Sequence, residues 1–495
     1  MSAIRVRIPP SPTGLLHIGT VRTALYNYLF AKHNGGTMVF RIEDTDKERS
    51  KKEFEDDIIN GLVKLGIAGD EGVHIKGDKG YRQSERTEVY AKDIKQLLDE
   101  DKAYFCFCSK ERLDGLRKEQ EAKKLPPRYD GCCAGIKPEE ARKRVEAGEK
   151  AVIRLRVPKD KDLSFTDLVR GDVAMHSKEL DDFVIARAVE DPLYHLTVVV
   201  DDHDMKITHV IRGEDHISNT PKQILIFQAL GWKIPEFAHL PLILNEDRSK
   251  LSKRKNKVSV SDYLNEGYLP QALLNFLALI GWNPGDTKQE IFTMEELIEK
   301  FSLEHVHKGG AVFDIKKLDW INCEYIKKAI KEDVDKFYDT ALPFFKGAIN
   351  TGEPDLIKKA LQDPDFDGRF KKLSELSDGL SPLFGELTDY PYSLLALENF
   401  QITPDILKQV FPKAKEALKS IDWDKGDSKK SQTISDKLTG IVAELGLKNG
   451  QVLWPIRVAL SGMERSPNFA TLAVYLGKDE CLRRLDVALN KLSFA

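Results

Sequence analysis

The sequence predicts an α/β protein: a parallel sheet interrupted by an α/β insert, followed by an all-helical C-terminal third. Three observations carry that reading. Apolar, β-branched runs at 4–8 and 38–42 flank a helical stretch at Val21–Lys32, a βαβ opening whose ligand belongs at the C-terminal ends of its strands. From about 104 the texture changes to a cysteine-bearing segment, a Pro-Pro break at 126–127 and β-rich runs at 151–157 and 182–189; Leu196–Val200 and Ile207–Ile211 then read as strands resuming the sheet. After 254 the patterns at 269–281, 294–301 and 324–331 are those of amphipathic helices, with a break near 330.

Taken in order, the first strand runs into Pro9-Pro10-Ser11-Pro12-Thr13-Gly14 and then His17-Ile18-Gly19-Thr20, where a helix can start at Leu15. A strand, a turn and a helix N-terminus present unpaired N–H groups and a positive dipole end to phosphate. Gly14 and Gly19 let backbone and phosphate approach closely. Helices follow near 51–65 and 84–100, the second with Ser84 as its N-cap. The segment from Lys110 to Lys124 is a basic helix, either a solvated charged face or a surface for nucleic acid. Lys250-Leu251-Ser252-Lys253-Arg254 sets two ammonium groups three residues apart on a polar loop. The stretch 422–431, poor in apolar residues, reads as an exposed linker.

The bulk numbers narrow the class. A chain of 495 residues is too long for one core. Its 41% hydrophobic and 31% charged residues are ordinary for a globular protein, and a net charge of −3 gives no global nucleic-acid signal. No apolar run approaches the length of a membrane span, and the start lacks a signal-type apolar stretch. Six cysteines, four of them between Cys106 and Cys133, do not make a secreted disulfide framework. A cytoplasmic protein without membrane attachment is expected.

The strings together resemble one family. Arg7-x-x-Pro-Ser-Pro-Thr-Gly, His17-Ile-Gly-Thr, Phe40-Arg-Ile-Glu43-Asp-Thr-Asp46, Tyr81-Arg-Gln-Ser-Glu-Arg86, Tyr194-His-Leu, Val200-Asp-Asp-His203, Val210-Ile-Arg212-Gly-Glu-Asp215 and Lys250-x-Ser-Lys-Arg254 stand in the order and spacing of the class I aminoacyl-tRNA synthetases of the bacterial glutamyl type. The similarity continues at Gly450-Gln-Val-Leu-Trp-Pro-Ile-Arg457 and so spans nearly the whole chain. One departure is visible: the second histidine of the class signature is Thr20 here.

The resemblance implies a class I Rossmann-like catalytic domain in two halves (1–103 and 195–255), an inserted acceptor-end domain (104–194), a helical stem-contact domain (256–329) and a helical anticodon-binding domain (330–495). It implies ATP with Mg2+, L-glutamate and tRNA(Glu) as ligands, and a monomer. His17, Lys250 and Lys253 would stabilise charge on phosphate as the α–β bond breaks. Gly14, Gly19, Asp215 and Ile243 would complete the ATP site. Arg7, Arg212 and Tyr194 would meet the side-chain carboxylate of glutamate, Glu43 its ammonium, with Ser11 assisting. Arg369 and Arg457 are the residues expected at the anticodon. Some members carry zinc in the insert. Cys106, Cys108 and Cys133 match three of its ligands, but Gly135 stands where the fourth belongs, so zinc and plain reduced thiols both remain open, with Cys132 or Tyr129 as substitutes. Two close rivals are an enzyme that also charges tRNA(Gln) and a glutaminyl-type synthetase, whose C-terminal half would be a β-barrel instead of helices. From another class, a catalytically dead RNA-binding protein would not keep His17, Lys250, Lys253 and Arg212 together.

Overall fold

A computed structural model describes residues 3–77, 79–251, 257–285, 288–346, 354–424 and 426–492. The chain divides into two compact units, Met1–Asn265 with Pro270–Leu318, and Glu266–Leu269 with Asp319–Ala495.

The first unit opens as the sequence predicts. Strand β1 (Arg5–Ile8), helix α1 (Ile18–His33) and strand β2 (Thr37–Phe40) form the βαβ unit, with β1 and β2 parallel and Val6 opposite Met38. Helix α1 is buried on most sides, from Ile18 and Val21 to Leu29 and Ala31, as a helix crossing the face of a sheet must be. It starts at Ile18, three residues later than Leu15, because His17 is its N-cap. Helix α2 (Lys52–Lys64) buries Ile58 and Leu62, and the short β3 (Glu71–Gly72) lies parallel to β2. Helix α3 (Thr87–Asp99) begins after a 3₁₀ turn, and Ser84 is not its cap: the Ser84 amide and hydroxyl both donate to Asp44, at 2.8 and 2.6 Å.

The insert builds its own antiparallel sheet from β4 (Ala103–Cys106) and β5 (Val152–Leu155), between which lie helices α4 (Lys110–Ala122) and α5 (Pro138–Glu146). The hairpin of β6 (Phe165–Asp167) and β7 (Gly171–Val173) leaves that sheet, and Asp167 pairs with Phe237 in the parallel sheet. The insert's sheet is completed by β8 (Val184–Ala188) and β9 (Asp191–Pro192).

Leu196–Val200 is not a strand. It lies inside helix α6 (Tyr194–Asp204), with Leu196, Val198, Val199 and Val200 all buried. A fully buried apolar run has no periodicity to separate helix from strand, and its β-branched residues tip the sequence reading to the wrong side. The helix packs between the two sheets, where Val199 and Val200 join one apolar cluster with Tyr90, Ile153 and Ile185. The sheet resumes only at β10 (His209–Gly213), then α7 (Thr220–Ala229) and β11 (Glu236–Leu240), parallel to β10. The Thr208 amide donates to the Arg5 carbonyl at 2.9 Å, which sets β10 beside β1. Strand order therefore reverses between β1 and β10, the place where an open α/β sheet leaves a crevice for ligand. The unit closes with β12 (Ile243–Leu244), helices α8 (Val260–Asn265), α9 (Pro270–Leu279) and α10 (Met294–Lys300), and β13 (Ala311–Val312) parallel to β12.

Among the described residues of the second unit there are helices and no strand, which excludes the barrel of the glutaminyl rival. Of the expected linker at 422–431, the part from Asp427 onward is helix (Asp427–Leu445), held by buried Ile434, Leu438 and Ile441. No described helix is long and apolar enough to cross a membrane.

Candidate active site

A cavity of about 400 Å³ opens at the C-terminal ends of β1, β10 and β11. Arg7, Ser11, His17, Gly19, Glu43, Tyr194, Arg212, Asp215, Ile243 and Lys250 line it, brought together from stretches more than 200 residues apart. Gly14 stands outside this lining, and Lys253 lies outside the described residues.

His17 caps α1: its Nδ1 accepts the Gly19 amide at 2.9 Å, so the neutral ring carries its proton on Nε2, a donor suited to phosphate. A Cβ at Gly19 would stand 3.1 Å from that Nδ1, so glycine also keeps the cap uncrowded. Both ends of the lysine loop are tied down nearby. The Leu251 amide donates to Ile243 at 3.0 Å, the Ile18 amide to Val258 at 2.9 Å, and the Val260 amide to Leu16 at 3.0 Å. Lys250 Nζ lies 3.3 Å from Asp215 Oδ2, both groups about half exposed, and Gly213 makes room for that carboxylate, since a Cβ there would sit 2.5 Å from Asp215 Oδ1. An exposed pair of this kind holds at most about 1 kcal/mol and gives way to a more highly charged phosphate.

The deep end is a buried charge network. Arg41 is fully buried, donating to Asp202 at 2.5 Å and to Glu43 at 3.0 Å, while Arg7 Nε donates to Asp202 at 3.2 Å. Burial pushes the Glu43 carboxyl above its ordinary value, further than Arg41 and Arg7 pull it back. Among the described residues Arg212 has no carboxylate partner. Its Nε donates to His239 Nε2 at 3.2 Å and its Nη2 to Thr220 Oγ1 at 2.8 Å, and burial lowers its pKa to about 10. Arg7 Nη1 and Arg212 Nη1 are both buried without an acceptor among the described residues. Unpartnered guanidinium N–H groups on arginines that line one cavity are what a bound carboxylate would satisfy. Tyr194 points its hydroxyl at His216 Nδ1, 3.0 Å away, and Asn219 Nδ2 donates to the same nitrogen at 3.2 Å.

Sequence reasoning missed Arg22, His216 and Asp202. Arg22 lines the cavity, buried, its Nη2 donating to the Pro241 carbonyl and its Nε unpartnered. A charged residue inside the apolar stretch 18–31 was the available signal.

In the insert, Cys108 Sγ lies 3.6 Å from Cys133 Sγ and 3.8 Å from Cys132 Sγ. Tyr129 Oη lies 3.4 Å from Cys106 Sγ and 3.8 Å from Cys108 Sγ. Cys106, Cys108 and Cys133 form a three-ligand group with all donor atoms within 4.8 Å. A tetrahedral zinc with Zn–S of about 2.3 Å needs sulfurs about 3.8 Å apart, so the donor set fits. No residue of α4 is buried, and Arg112 and Lys123 pair with Asp130 and Glu119. In the second unit, Arg369 Nη2 donates to the Ser466 carbonyl and Arg457 Nη1 to its hydroxyl, both at 2.8 Å, and Arg457 stacks 4.5 Å above Trp454.

The family model "tRNA synthetases class I (E and Q), catalytic domain" matches residues 3–320, and "Anticodon binding domain" matches 336–489. A glutamate–tRNA ligase of Desulforamulus reducens is 41% identical over 99% of this chain and all of its own length; that of Aquifex aeolicus is 42% identical over the full length of both. The solved structure of a glutamate tRNA ligase from Elizabethkingia meningosepticum, in complex with its amino acid, matches with a TM-score of 0.86 at 33% identity, covering 99% of this chain and 100% of that one. The chain belongs to the class I tRNA synthetases of the glutamate and glutamine kind, and within them to the glutamate–tRNA ligases.

Proposed function

We propose that the cavity holds L-glutamate beside ATP, forms glutamyl-adenylate and pyrophosphate, and then passes glutamate to the 3′ end of tRNA(Glu). The observation that carries this reading is that Arg7 and Arg212 both line one cavity and each keeps a buried Nη1 with no acceptor among the described residues. The side-chain carboxylate of glutamate supplies the acceptor. Glutamine brings a neutral amide whose NH₂ would face a guanidinium N–H donor to donor, so no editing step is needed. Glu43 takes the substrate ammonium, Ser11 assists, and Tyr194 closes the side of the pocket against His216.

The reaction needs no covalent protein intermediate. The α-carboxylate attacks the α-phosphate, and the protein contributes position and charge. His17 Nε2 and Lys250, with Lys253 from the loop, meet oxygens whose charge grows as the α–β bond breaks; Gly19, Asp215 and Ile243 frame the nucleotide, and Mg2+ bound to its phosphates would offset part of their charge. Thr20 lines the cavity where the class signature has histidine, which leaves His17 the larger share of that contact.

Residues 1–103 and 195–255 are the catalytic halves, 104–194 the acceptor-end domain, 256–329 the stem contact and 330–495 the anticodon reader, with Arg369 and Arg457, both anchored on the buried Ser466, meeting unstacked bases. Cys106, Cys108 and Cys133 would hold zinc if it binds, with Cys132 or Tyr129 beside them for the fourth position, and the metal would fix that corner of the insert. Six unpaired thiols suit a cytoplasmic setting. Charging of purified tRNA(Glu) and tRNA(Gln) in parallel tests the assignment: glutamate on tRNA(Glu) is expected, and an enzyme active only toward tRNA(Gln) overturns it.

A further inference from the structure

Behind the cavity wall lies a chain of buried groups that meets the cavity at one end only. Asp167, His239, Thr220 and Arg212 are all 5% exposed or less, and only Arg212 reaches the cavity lining. His239 Nδ1 lies 2.6 Å from Asp167 Oδ2. On its other side, His239 Nε2 receives Arg212 Nε at 3.2 Å and lies 3.1 Å from Thr220 Oγ1, which itself accepts Arg212 Nη2 at 2.8 Å. These contacts allow one arrangement of protons. Arginine can only donate, so Nε2 must be bare; the ring proton is then on Nδ1, donated to the Asp167 carboxylate.

The contrast with the neighbouring arginines is informative. Arg7 and Arg41 both pair directly with Asp202, whose carboxylate offsets part of their charge. Arg212 is held by an imidazole, a hydroxyl and, at 3.4 Å, the His216 carbonyl, all neutral. The carboxylate that orients it stands one ring away. A direct carboxylate would fix the guanidinium equally well but would compete with the ligand for its charge.

We propose that Asp167 and His239 are positioning residues for glutamate selection: Asp167 locks His239 as its Nδ1–H tautomer, whose bare Nε2, together with Thr220, fixes Arg212 with Nη1 left for the substrate's side-chain carboxylate. This rests on the reading of Arg212 as the ligand of that carboxylate. Asp167 reaches the site because the β6–β7 hairpin, carried by the inserted stretch of chain, pairs with β11 beside His239.

The test is Asp167→Asn, which the local geometry makes unusually clean. Asp167 Oδ1 accepts three backbone amides, from Val169 at 3.0 Å, Arg170 at 2.8 Å and His239 at 3.2 Å. In the variant the amide oxygen keeps those bonds, so its NH₂ must face His239 Nδ1. That forces the proton to Nε2 and turns a donor against Arg212 Nε. The expected result is a roughly 10- to 100-fold rise in the KM for glutamate, with the KM for ATP and the melting temperature nearly unchanged. On an Arg212→Ala background the same change should add nothing, because it acts through Arg212. An unchanged glutamate KM, an equal rise for ATP, or a full effect on the Arg212→Ala background each overturns the proposal. Arg212→Ala alone keeps the two readings apart. If it leaves the glutamate KM unmoved, the assignment of Arg212 has failed; if it raises it while Asp167→Asn does not, only the positioning role has failed. Should Asp167→Asn not fold, Thr220→Val removes the other neutral acceptor without changing shape; a raised glutamate KM there supports the proposal and an unchanged one overturns it.

Discussion

At the scale of single residues, the pocket is defined by which charges the protein satisfies itself and which it leaves for a ligand. Arg41 is surrounded by the carboxylates of Asp202, Glu43 and Asp201, whereas Arg212 pairs with none among the described residues, and Arg7 and Arg212 each keep a buried Nη1 unmatched. Glu43 sits at the opposite balance, its carboxyl raised from 4.5 by burial. The sign of the consequence follows: as pH falls, the carboxylate that receives the substrate ammonium is protonated at a higher pH than an exposed glutamate would be. The kcat/KM for glutamate should therefore decline on the acid side with a limb above pH 4.5, and Glu43→Gln should lower activity and remove that limb. A wild-type profile flat down to 4.5 contradicts this. Arg7, His17, Glu43, Tyr194 and Arg212 were named from the strings that resemble the family, and the fold brings all five to one cavity. Asp202, His216, His239 and Asp167 were not, since their roles depend on burial beside partners far away in sequence. Asp167, for example, meets a histidine 72 residues away.

At the scale of elements, the sequence was most readable where periodicity was one-sided and least where it vanished. Helix α2, with Ile58 and Leu62 buried and most of its charged residues outside, fell where its pattern put it; Glu55 is buried against Arg82. The run at Leu196–Val200 did not, because residues buried on every side carry no phase, and only the packing against α3 and the insert's sheet decides for helix. The outcome matters for the site: as a helix, the segment places Asp201 and Asp202 in turn beneath Arg41, with Asp202 also reaching Arg7. The cysteine corner is a second case. Gly135 removes the expected fourth donor, yet the fold brings Tyr129 Oη and Cys132 Sγ into the same cluster. Protein purified without chelator should contain near-stoichiometric zinc by elemental analysis, lost in Cys106→Ser. Tyr129→Phe should weaken retention much more than Cys132→Ser, which is exposed. Metal-free protein with an intact insert would instead make these plain thiols.

At the scale of the whole molecule, two units divide the labour. Arg369 and Arg457 converge on Ser466 in the second unit, within the residues that match the anticodon-binding family. Arg369→Ala should raise the KM for tRNA about 10- to 100-fold, the range of one lost stacking or hydrogen-bonding contact to a base, and leave the KM values for ATP and glutamate alone. Loss of amino-acid affinity in that variant would count against an anticodon role. The central claim, however, is that two orphaned guanidinium groups select a second carboxylate. Its most direct measurement is the ratio of kcat/KM for glutamate over glutamine in charging tRNA(Glu) by the purified protein. The geometry predicts a ratio of about 10³ or more, falling steeply in Arg212→Ala. Comparable charging by the two amino acids in the unaltered protein would contradict it.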